Sequence, residues 1–551
     1  MYQAKNFSIL LFSNELLLKL SICFNLFIIH PFLSYGQEAK TVPLFQHGVA
    51  SGDPAADRVI LWTRISSQLA GKISVKWEIS RDSLIRTILQ SGQVVTDSLK
   101  DYTIKIDAAK LSPGQTYYYR FSTMGSYSPI GRTKTTPLQN VANLKFAVVS
   151  CSNYAEGYFS ALDRIADRKN LDAVIHLGDY IYEGTERDFD QRGRKDIKSI
   201  DNPGRKKNKA WWLSYYRERY AISHLDSALN RAHQVHPFIS VWDDHETADN
   251  AHRDGAKAHN PLTDGSWQER KEAARQAYFE WMPIRGNGPS IYRSISYGNL
   301  MELFMLDTRL EGRDKQIYDA SSSALYDPDR TLLGSRQKQW LLTKLKSSTA
   351  QWKVIGNQVI FSPFYVSWAK IGPFASQVTG LENNLLDYWQ GYPLERDSIL
   401  EFISSNRIDN VVILSASMHC SLAFDVSLRP TDESRMGEKA TYQSSDGKGS
   451  LAVEFATPSI TSANFDEQIG SVMTKAFEER VNKPLPPPFN FNPNPHLKFV
   501  DLTEHGYLLL EVSKSKTQAS WYFIEDKFKK NSKETLIESL HTLDKQNHFS
   551  K

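Results

Sequence analysis

The segment at residues 144–183 is the sequence feature that most constrains the fold. It contains two uninterrupted apolar runs, at 146–149 and 173–177. Strands that are apolar on both faces are typical of a parallel sheet that helices cover on both sides. Between the runs, apolar residues recur at the spacings of three and four that indicate a helix, namely Phe159, Leu162, Ile165 and Ala166. The segment therefore predicts a strand–helix–strand unit of an α/β domain.

Metal-ligand side chains stand where both of these predicted strands end. The first run is followed by Cys151, and the second by the pattern GDxxY, which contains Asp179 and Tyr182. The carboxyl ends of neighbouring parallel strands meet at one edge of a sheet, where open α/β proteins place their chemistry. A carboxylate there can bridge two cations, and a phenolate favours a highly charged ion such as Fe(III). The segment therefore predicts a metal centre.

Other predicted strands end in the same kind of residue. Asp244 and His245 follow an apolar run at 238–242, and His419 follows another at 411–414. Separate strand ends that all offer metal ligands strengthen the prediction of one shared centre. Further strands are predicted at 301–306 and 352–355, and further helices at 267–282 and from Ser335, which we predict to be an N-cap.

One other strand end has two interpretations. Asp307-Thr308-Arg309 follows the predicted strand at 301–306. The tripeptide fits a further functional element at the same edge of the sheet, and it fits equally well a buried Asp–Arg pair that steadies a loop. The sequence leaves both interpretations open.

The length of 551 residues predicts more than one domain. Residues 41–138 contain short runs with the alternation of half-buried strands. Tyr117 lies in a stretch similar to the tyrosine corner of immunoglobulin-like and fibronectin-like sandwiches. We predict an all-β domain at 41–138, an α/β domain at 144–528 and a polar, disordered tail at 529–551. The small formal net charge of +4 argues against a nucleic-acid partner.

The amino terminus has the pattern of a secretory signal peptide at residues 1–36. Lysines precede a mostly apolar segment at 20–33, and Ser34 and Gly36 are small residues at the two positions that determine cleavage. An uncleaved membrane anchor is the alternative, but polar residues and a proline interrupt the segment, which is short for a membrane span. We predict export by a Sec-type signal to the periplasm or the exterior, with no transmembrane segment in the mature chain.

Two cysteines remain once Cys23 is removed with the predicted signal peptide. Cys151 and Cys420 both follow predicted strand ends. Export permits a disulfide bond between them. This bond is the alternative to metal ligation by Cys151, and both interpretations stay open at this point.

The ordered motifs of the chain resemble those of the PhoD-type alkaline phosphatases, a branch of the calcineurin-like metallophosphoesterases. They include HGVASGDPAADRVILWTR, HLGDYIYEG, VWDDHETADNAHRDGAKAHNP and LFMLDTRLEGRD, and they extend over nearly the whole mature chain. The resemblance implies an αββα metallophosphatase sandwich as the catalytic domain at 144–528. It also implies an immunoglobulin- or fibronectin-like β domain before it.

The resemblance also implies roles for individual residues. His245 would face the phosphate and assist the leaving group, and Glu246 would orient that histidine. Asn250 and Arg253 would contact the phosphate or a calcium ion. Asp179 would bridge the two metal ions, and the implied metal ligands are Cys151, Asp179, Tyr182, Asp244 and His419.

Two departures from the family pattern alter what the resemblance implies. Relatives have Gly-Asp-x-His where this chain has Ala416-Ser417-Met418-His419, so that one carboxylate of the second metal site is missing. We therefore expect Fe(III) at the first site and a weakly held Ca²⁺, Mg²⁺ or other divalent ion at the second. The chain also lacks the twin-arginine signal that many relatives carry, and we expect it to acquire metal after export.

The implied function is an exported phosphoesterase that hydrolyses phosphate mono- or diesters by attack of metal-bound hydroxide. One alternative is a phosphodiesterase or phospholipase D-like enzyme that acts on phospholipids or wall polymers. Another is a degenerate surface protein that only binds phosphorylated ligands, an interpretation that the change at Ser417 favours. The oligomeric state is not predicted.

Overall fold

The computed structural model describes residues 43–66, 71–183, 194, 207–286, 288–370, 375–432, 439–487 and 490–550. The predicted signal peptide at 1–36 lies outside these ranges. Among the described residues, no helix has both the length and the apolar character needed to cross a bilayer.

Strands and α-helices are numbered separately, each in chain order. The strands are β1 (Val49–Gly52), β2 (Val59–Arg64), β3 (Ile73–Ser80), β4 (Gln90–Thr96), β5 (Thr103–Ala108), β6 (Thr116–Thr123), β7 (Ser126–Tyr127), β8 (Gly131–Lys134), β9 (Asn143–Val149), β10 (Ala173–His176), β11 (Pro237–Ser240), β12 (Arg293–Tyr297), β13 (Met301–Met305), β14 (Trp352–Gly356), β15 (Val411–Ser415), β16 (Ser421–Ser427), β17 (Ser450–Ala456), β18 (Leu497–Asp501), β19 (Gly506–Ser513), β20 (Lys516–Ile524) and β21 (Glu534–Leu543). The α-helices are α1 (Ser160–Asp167), α2 (Lys209–Ser223), α3 (Ser227–Val235), α4 (Pro261–Asp264), α5 (Trp267–Trp281), α6 (Gly334–Ser347), α7 (Ala375–Leu385), α8 (Pro393–Ser405), α9 (Phe465–Ile469) and α10 (Ser471–Glu478).

Two large sheets form the centre of the protein. A nine-stranded sheet has the order β21-β20-β19-β9-β10-β11-β1-β2-β5, and a seven-stranded sheet has the order β12-β13-β14-β15-β17-β16-β18. Apolar residues of both sheets, such as Val148 and Val354, share one core cluster. On its other face the seven-stranded sheet packs against α6 and α8. The predicted α/β class is therefore confirmed.

The predicted strand–helix–strand unit is present. β9 and β10 pair in parallel, with Ala147 opposite Val174, and α1 connects them. Val148 and Ile175 are fully buried, as expected for strands without a solvent face. The unit brings the ends of β9 and β10 to the same sheet edge.

The amino-terminal β region is continuous with the nine-stranded sheet. β1 pairs in parallel with β11 and antiparallel with β2, which in turn pairs with β5. β3, β4, β6, β7 and β8 form a separate sheet, and a small apolar cluster lies between this sheet and β2. This arrangement covers the edge of β11, which would otherwise be left unpaired. The tyrosine corner is also present, since the backbone N–H of Ser112 donates to Tyr117 Oη at 2.7 Å.

Two local predictions are wrong. Helix α6 begins at Gly334, one residue before Ser335. Side chains outside the helix accept hydrogen bonds from the backbone N–H groups at its amino end. The Glu395 carboxylate accepts from the N–H groups of Leu332 and Leu333, and Thr331 Oγ1 accepts from that of Gly334. Tertiary contacts therefore replace the local serine cap.

The carboxyl-terminal tail is also ordered over much of its length. β21 lies in the segment at 529–551 that was predicted to be disordered, and it pairs antiparallel with β20. The segment is polar because β21 is an edge strand, one face of which stays in water.

A buried ion pair joins this carboxyl-terminal region to α9. Lys527 is 6% exposed, and its ammonium donates to the carbonyl of Thr461 and to Glu467 Oε2, each at 2.8 Å. His505 Nε2 lies 3.2 Å from the same carboxylate oxygen. Burial alone would raise the pKa of Glu467. Hydrogen bonding to His505 and the charge of Lys527 outweigh burial and lower this pKa to about 2.

We expect Glu467 to link stability to pH. Its pKa falls from an ordinary 4.5 to about 2 on folding, so its contribution is complete above pH 4.5 and disappears as the pH falls toward 2. Glu467→Gln should lower the free energy of unfolding at pH 7 and flatten its decline in this window, as measured by urea denaturation at a series of pH values. Glu511→Gln is the control, because Glu511 pairs with Lys145 in a more exposed contact. Equal pH slopes for wild type and Glu467→Gln would contradict the expectation.

Candidate metal centre

The candidate site lies at the carboxyl ends of parallel strands from both large sheets. Cys151 follows β9, Asp179 follows β10 and Asp244 follows β11, whereas His419 follows β15 of the other sheet. Cys151, Asp179 and His419 have positive φ angles of 55°, 56° and 68°. Such backbone costs about 1–3 kcal/mol at a non-glycine residue and persists only where the surroundings hold it. The chain therefore turns sharply directly after these strands, at the residues predicted to bind metal.

The residues predicted to hold the first cation come together. Cys151 Sγ lies 3.4 Å from Asp179 Oδ2, and Tyr182 Oη donates to the same carboxylate oxygen at 2.9 Å. Cys151 Sγ, a carboxylate oxygen of Asp179 and a ring nitrogen of His419 all lie within 4.8 Å of one another. His419 Nδ1 donates to the carbonyl of Ala463 at 2.8 Å, which leaves Nε2 available as a ligand. The group is compact enough to surround one ion.

The electrostatics of this group suit a cation. Burial raises the pKa values of Cys151 and Tyr182 well above their usual range, and the charge of Asp179 raises both further. Burial also raises the pKa of Asp179 itself. Burial lowers the pKa of His419 to about 4, so the imidazole is neutral near pH 7, as a metal ligand must be. A donor set of sulfur, nitrogen and oxygen fits a transition-metal ion that takes the place of these protons.

Asp179 also belongs to a second group of possible ligands. One of its carboxylate oxygens lies within 4.8 Å of an oxygen of Asp244 and a ring nitrogen of His245. The backbone N–H of Asn250 donates to Asp244 Oδ2 at 2.6 Å, and the Asn250 amide donates to Gln316 at 2.9 Å. Asp179 therefore belongs to both groups of possible ligands.

A buried arginine stands beside Ser417. Arg309 Nη2 lies 3.4 Å from Ser417 Oγ and 3.7 Å from Asp244 Oδ1, and the Arg309 side chain is 0% exposed. Ser417, where the resemblance implies a carboxylate, therefore adjoins a buried positive charge.

The remaining contacts of Arg309 are ion pairs with acidic residues outside its own tripeptide. Its guanidinium binds Asp243 at 2.5 Å and Asp387 at 2.7 Å, whereas the Asp307 carboxylate accepts from the backbone N–H groups of Arg309 and Leu310. A buried ion pair is present, but its acidic partners come from other segments of the chain. The sequence showed that Arg309 follows a predicted strand. It gave no sign of which acidic residues Arg309 binds.

The side chain that holds His245 is Glu183 rather than the predicted Glu246. His245 Nδ1 lies 2.7 Å from Glu183 Oε2, and the His245 ring stacks on Tyr182 with centroids 4.2 Å apart. Burial would lower the pKa of His245, but Asp244 and Glu183 raise it well above its usual value.

Glu246 has a different part in the site. Its carboxylate accepts from the backbone N–H groups of Asp179, Tyr180 and Asp243 at 2.6–3.1 Å. The prediction was wrong because neighbouring side chains in a tight turn point in different directions. Glu183 directly follows the GDxxY pattern, but that position gives no sign of its contact with His245.

These groups open into a cavity of about 210 Å³. Asn250 and Ser417 line it, and so does Lys257, whose ammonium lies 3.1 Å from Asp249. Arg253 lies outside the lining and pairs with Asp254 and Asp314. The other lining residues are Asp179, Asp244, His245, Asp249, Leu381, Asn384, Leu385, Asp387, Tyr388, Met418, His419, Phe465 and Gln468.

The two cysteines of the predicted mature chain are not bonded to each other. Cys151 and Cys420 are both buried and free. Cys420 belongs to an apolar cluster with Leu422 and Phe424. The disulfide alternative is thereby excluded in this structure.

Comparison with known proteins gives consistent matches. The family model described as PhoD-like phosphatase matches residues 146–521, and the model of the PhoD-like phosphatase N-terminal domain matches residues 33–137. Alkaline phosphatase D of Bacillus subtilis (strain 168) is 38% identical over 400 residues. That alignment covers 69% of this chain and 65% of the Bacillus protein. A solved structure described as "Structure of PhoD" is 30% identical, with a TM-score of 0.75, over 93% of this chain and 92% of that chain.

We expect Cys151→Ser and Cys420→Ser to separate metal binding from packing. Cys151→Ser replaces the sulfur of a possible ligand by a hydroxyl that binds metal poorly, so metal affinity should fall by more than the roughly tenfold to hundredfold that loss of a supporting residue causes. Cys420→Ser changes a cysteine that is equally buried and should leave metal affinity unchanged. Metal content after dialysis against a graded chelator is the measurement, and equal losses in both variants would contradict the assignment.

Proposed function

This chain belongs to the PhoD-like phosphatase family, and we propose on that basis that it is a metal-dependent phosphoesterase that hydrolyses phosphate mono- or diesters. The observation that carries the proposal is the shared position of Asp179, which belongs both to the group with Cys151 and His419 and to the group with Asp244 and His245. A carboxylate between two ligand sets is the arrangement that two-metal phosphoester hydrolysis needs.

The two groups of side chains would hold two different cations. Cys151, Asp179, Tyr182 and His419 would hold Fe(III), and Asp179 and Asp244 would hold a weakly bound Ca²⁺, Mg²⁺ or other divalent ion. When bound, these ions supply an activated water and neutralise charge on the phosphoryl oxygens.

The proton for the departing alcohol comes from His245 in this proposal. Glu183 holds His245 Nδ1, and the stacking on Tyr182 fixes the plane of the ring. The nearby carboxylates raise the pKa of His245, which keeps a proton available for the leaving oxygen.

The substrate enters the cavity beside Lys257. A phosphate ester is anionic, and the cavity is lined by the carboxylates of Asp179, Asp244, Asp249 and Asp387. Lys257 is the lysine of this lining, so we assign to it the contact with substrate that the sequence suggested for Arg253. Asn250 keeps the place at the second cation that the sequence suggested.

The alternative enzymes act in the same cavity. A phosphodiesterase on phospholipids or wall polymers would use the same chemistry with a larger leaving group.

The predicted signal at 1–36 supports export to the periplasm or the exterior. A protein that only binds phosphorylated ligands is favoured by Ser417 alone and has no use for a histidine held by Glu183.

Hydrolysis of p-nitrophenyl phosphate and of its bis-ester by the purified protein, supplied with Fe(III) and Ca²⁺, tests the proposal. We expect turnover of at least one ester. For glycerol 2-phosphate, whose alkoxide leaves poorly without a proton, His245→Asn should lower kcat by about 10²–10⁴. The loss should be smaller for the p-nitrophenyl esters, because p-nitrophenolate leaves well without an acid. His236→Asn is the matched control, because His236 is buried and bonds the carbonyl of Ile165 on α1. Binding of phosphate without turnover of either ester would identify a binding protein instead.

A paired substitution tests the assignment of Lys257. Lys257→Met should raise KM for the phosphate ester roughly tenfold and change kcat little, since it removes a charge at the mouth of the cavity. Arg253→Met removes a comparable charge outside the cavity and should leave KM near the wild-type value. A higher KM for Arg253→Met than for Lys257→Met would assign the substrate contact to Arg253 instead.

A carboxylate at position 417 should strengthen the second cation site. Ser417→Asp restores the residue of the family pattern, and we expect it to tighten Ca²⁺ binding roughly tenfold to a hundredfold. Activity titrated against Ca²⁺ at fixed iron is the measurement. Ser417→Asn, similar in size but neutral, is the control for packing beside Arg309. No gain over wild type at limiting Ca²⁺ would contradict the assignment of position 417 to the second cation site.

A further inference from the structure

The segment at residues 459–463, which we call the bracing segment, follows β17 and crosses the strand ends that carry the candidate ligands. The backbone N–H of Ile460 donates to the carbonyl of Ser150 at 3.1 Å, and that of Ser459 donates to the carbonyl of His419 at 2.9 Å. The bracing segment thus joins the end of β9 to the turn after β15. These two strands belong to different sheets.

Ser462 has the most direct contacts with the ligand group. Its hydroxyl lies 2.6 Å from Tyr182 Oη and 2.9 Å from the carbonyl of Cys151, and the residue is 1% exposed. Tyr182 Oη also bonds the carboxylate of Asp179, at 2.9 Å. The single Ser462 hydroxyl proton can go to either oxygen. When Tyr182 loses its proton to a cation, its anionic oxygen becomes a stronger acceptor than the Cys151 carbonyl, and the Ser462 hydroxyl is placed to donate to it.

The neighbouring residue acts on another ligand. The carbonyl of Ala463 accepts from His419 Nδ1 at 2.8 Å, and the N–H of Ala463 donates to Glu156 at 2.7 Å. The bracing segment is held in turn by Lys527, which donates to the carbonyl of Thr461 at 2.8 Å. A buried and anchored segment with few ways to move can set the positions of the groups it bonds.

We propose that Ser462 is a positioning residue for the first cation, because its hydroxyl holds the phenolic oxygen of Tyr182 against the position that Cys151, Asp179 and His419 surround. The proposal rests on the proposed iron site and adds to it a residue outside the predicted ligand set. Hydrogen-bonded partners of metal ligands orient them and tune their bonds to the metal.

The visible spectrum of the iron-loaded protein tests this role. Charge transfer from the Tyr182 oxygen to iron produces a band, and a hydrogen bond donated to that oxygen raises the energy of the transition. Ser462→Ala should therefore move the band to longer wavelength and weaken iron binding roughly tenfold to a hundredfold. Ser462→Thr keeps the hydroxyl and should restore the wild-type band. Ser160→Ala is the control, because it removes an equally buried hydroxyl that donates to the carbonyl of Lys529 at 2.7 Å.

The outcomes distinguish this role from the proposed function. A shift in Ser462→Ala that Ser462→Thr reverses, with no shift in Ser160→Ala, supports the positioning role. An unchanged band in Ser462→Ala overturns that role, even if the protein hydrolyses p-nitrophenyl phosphate. The absence of a band from iron-loaded wild type also overturns it, and ester hydrolysis by the same preparation then decides the proposed function independently.

Discussion

The crowding of buried acidic groups around Asp179 is the constraint on which the site depends. Its carboxylate contacts the Cys151 thiol and the Tyr182 hydroxyl, and Asp244 stands close by. Burial raises the pKa values of Cys151, Asp179 and Tyr182, so these groups are costly to ionise, and negative charges this close repel one another. A cation removes both costs at once. The same arrangement that is unfavourable for ionised side chains alone is therefore favourable for metal binding.

Buried positive side chains hold the surroundings of this centre in place. Arg309 binds Asp243 and Asp387 next to the second ligand group, and Lys527 binds Glu467 and the bracing segment next to the first. Such pairs add little to stability by themselves, but breaking one leaves an uncompensated buried charge. Their contribution here is to fix the backbone from which the ligands project.

The amino-terminal β region takes part in the same architecture. β1 adds to the nine-stranded sheet beside β11, the strand that leads to Asp244. The Asp53 carboxylate, just after β1, binds Arg293 of β12 in the other sheet. This region therefore also supports the two large sheets at the level of the site.

The sequence by itself determined the α/β class, the strand–helix–strand unit and the strand ends that meet at the candidate site, because each depends on local periodicity and on the residues directly after a strand. It could not reveal that Glu183 holds His245, that Arg309 binds Asp243 and Asp387, or that α6 is capped by Glu395. These contacts join residues about 60–80 positions apart in the chain. Spacing in the sequence carries no information on such pairs, and only the packing of the two sheets and their loops decides them.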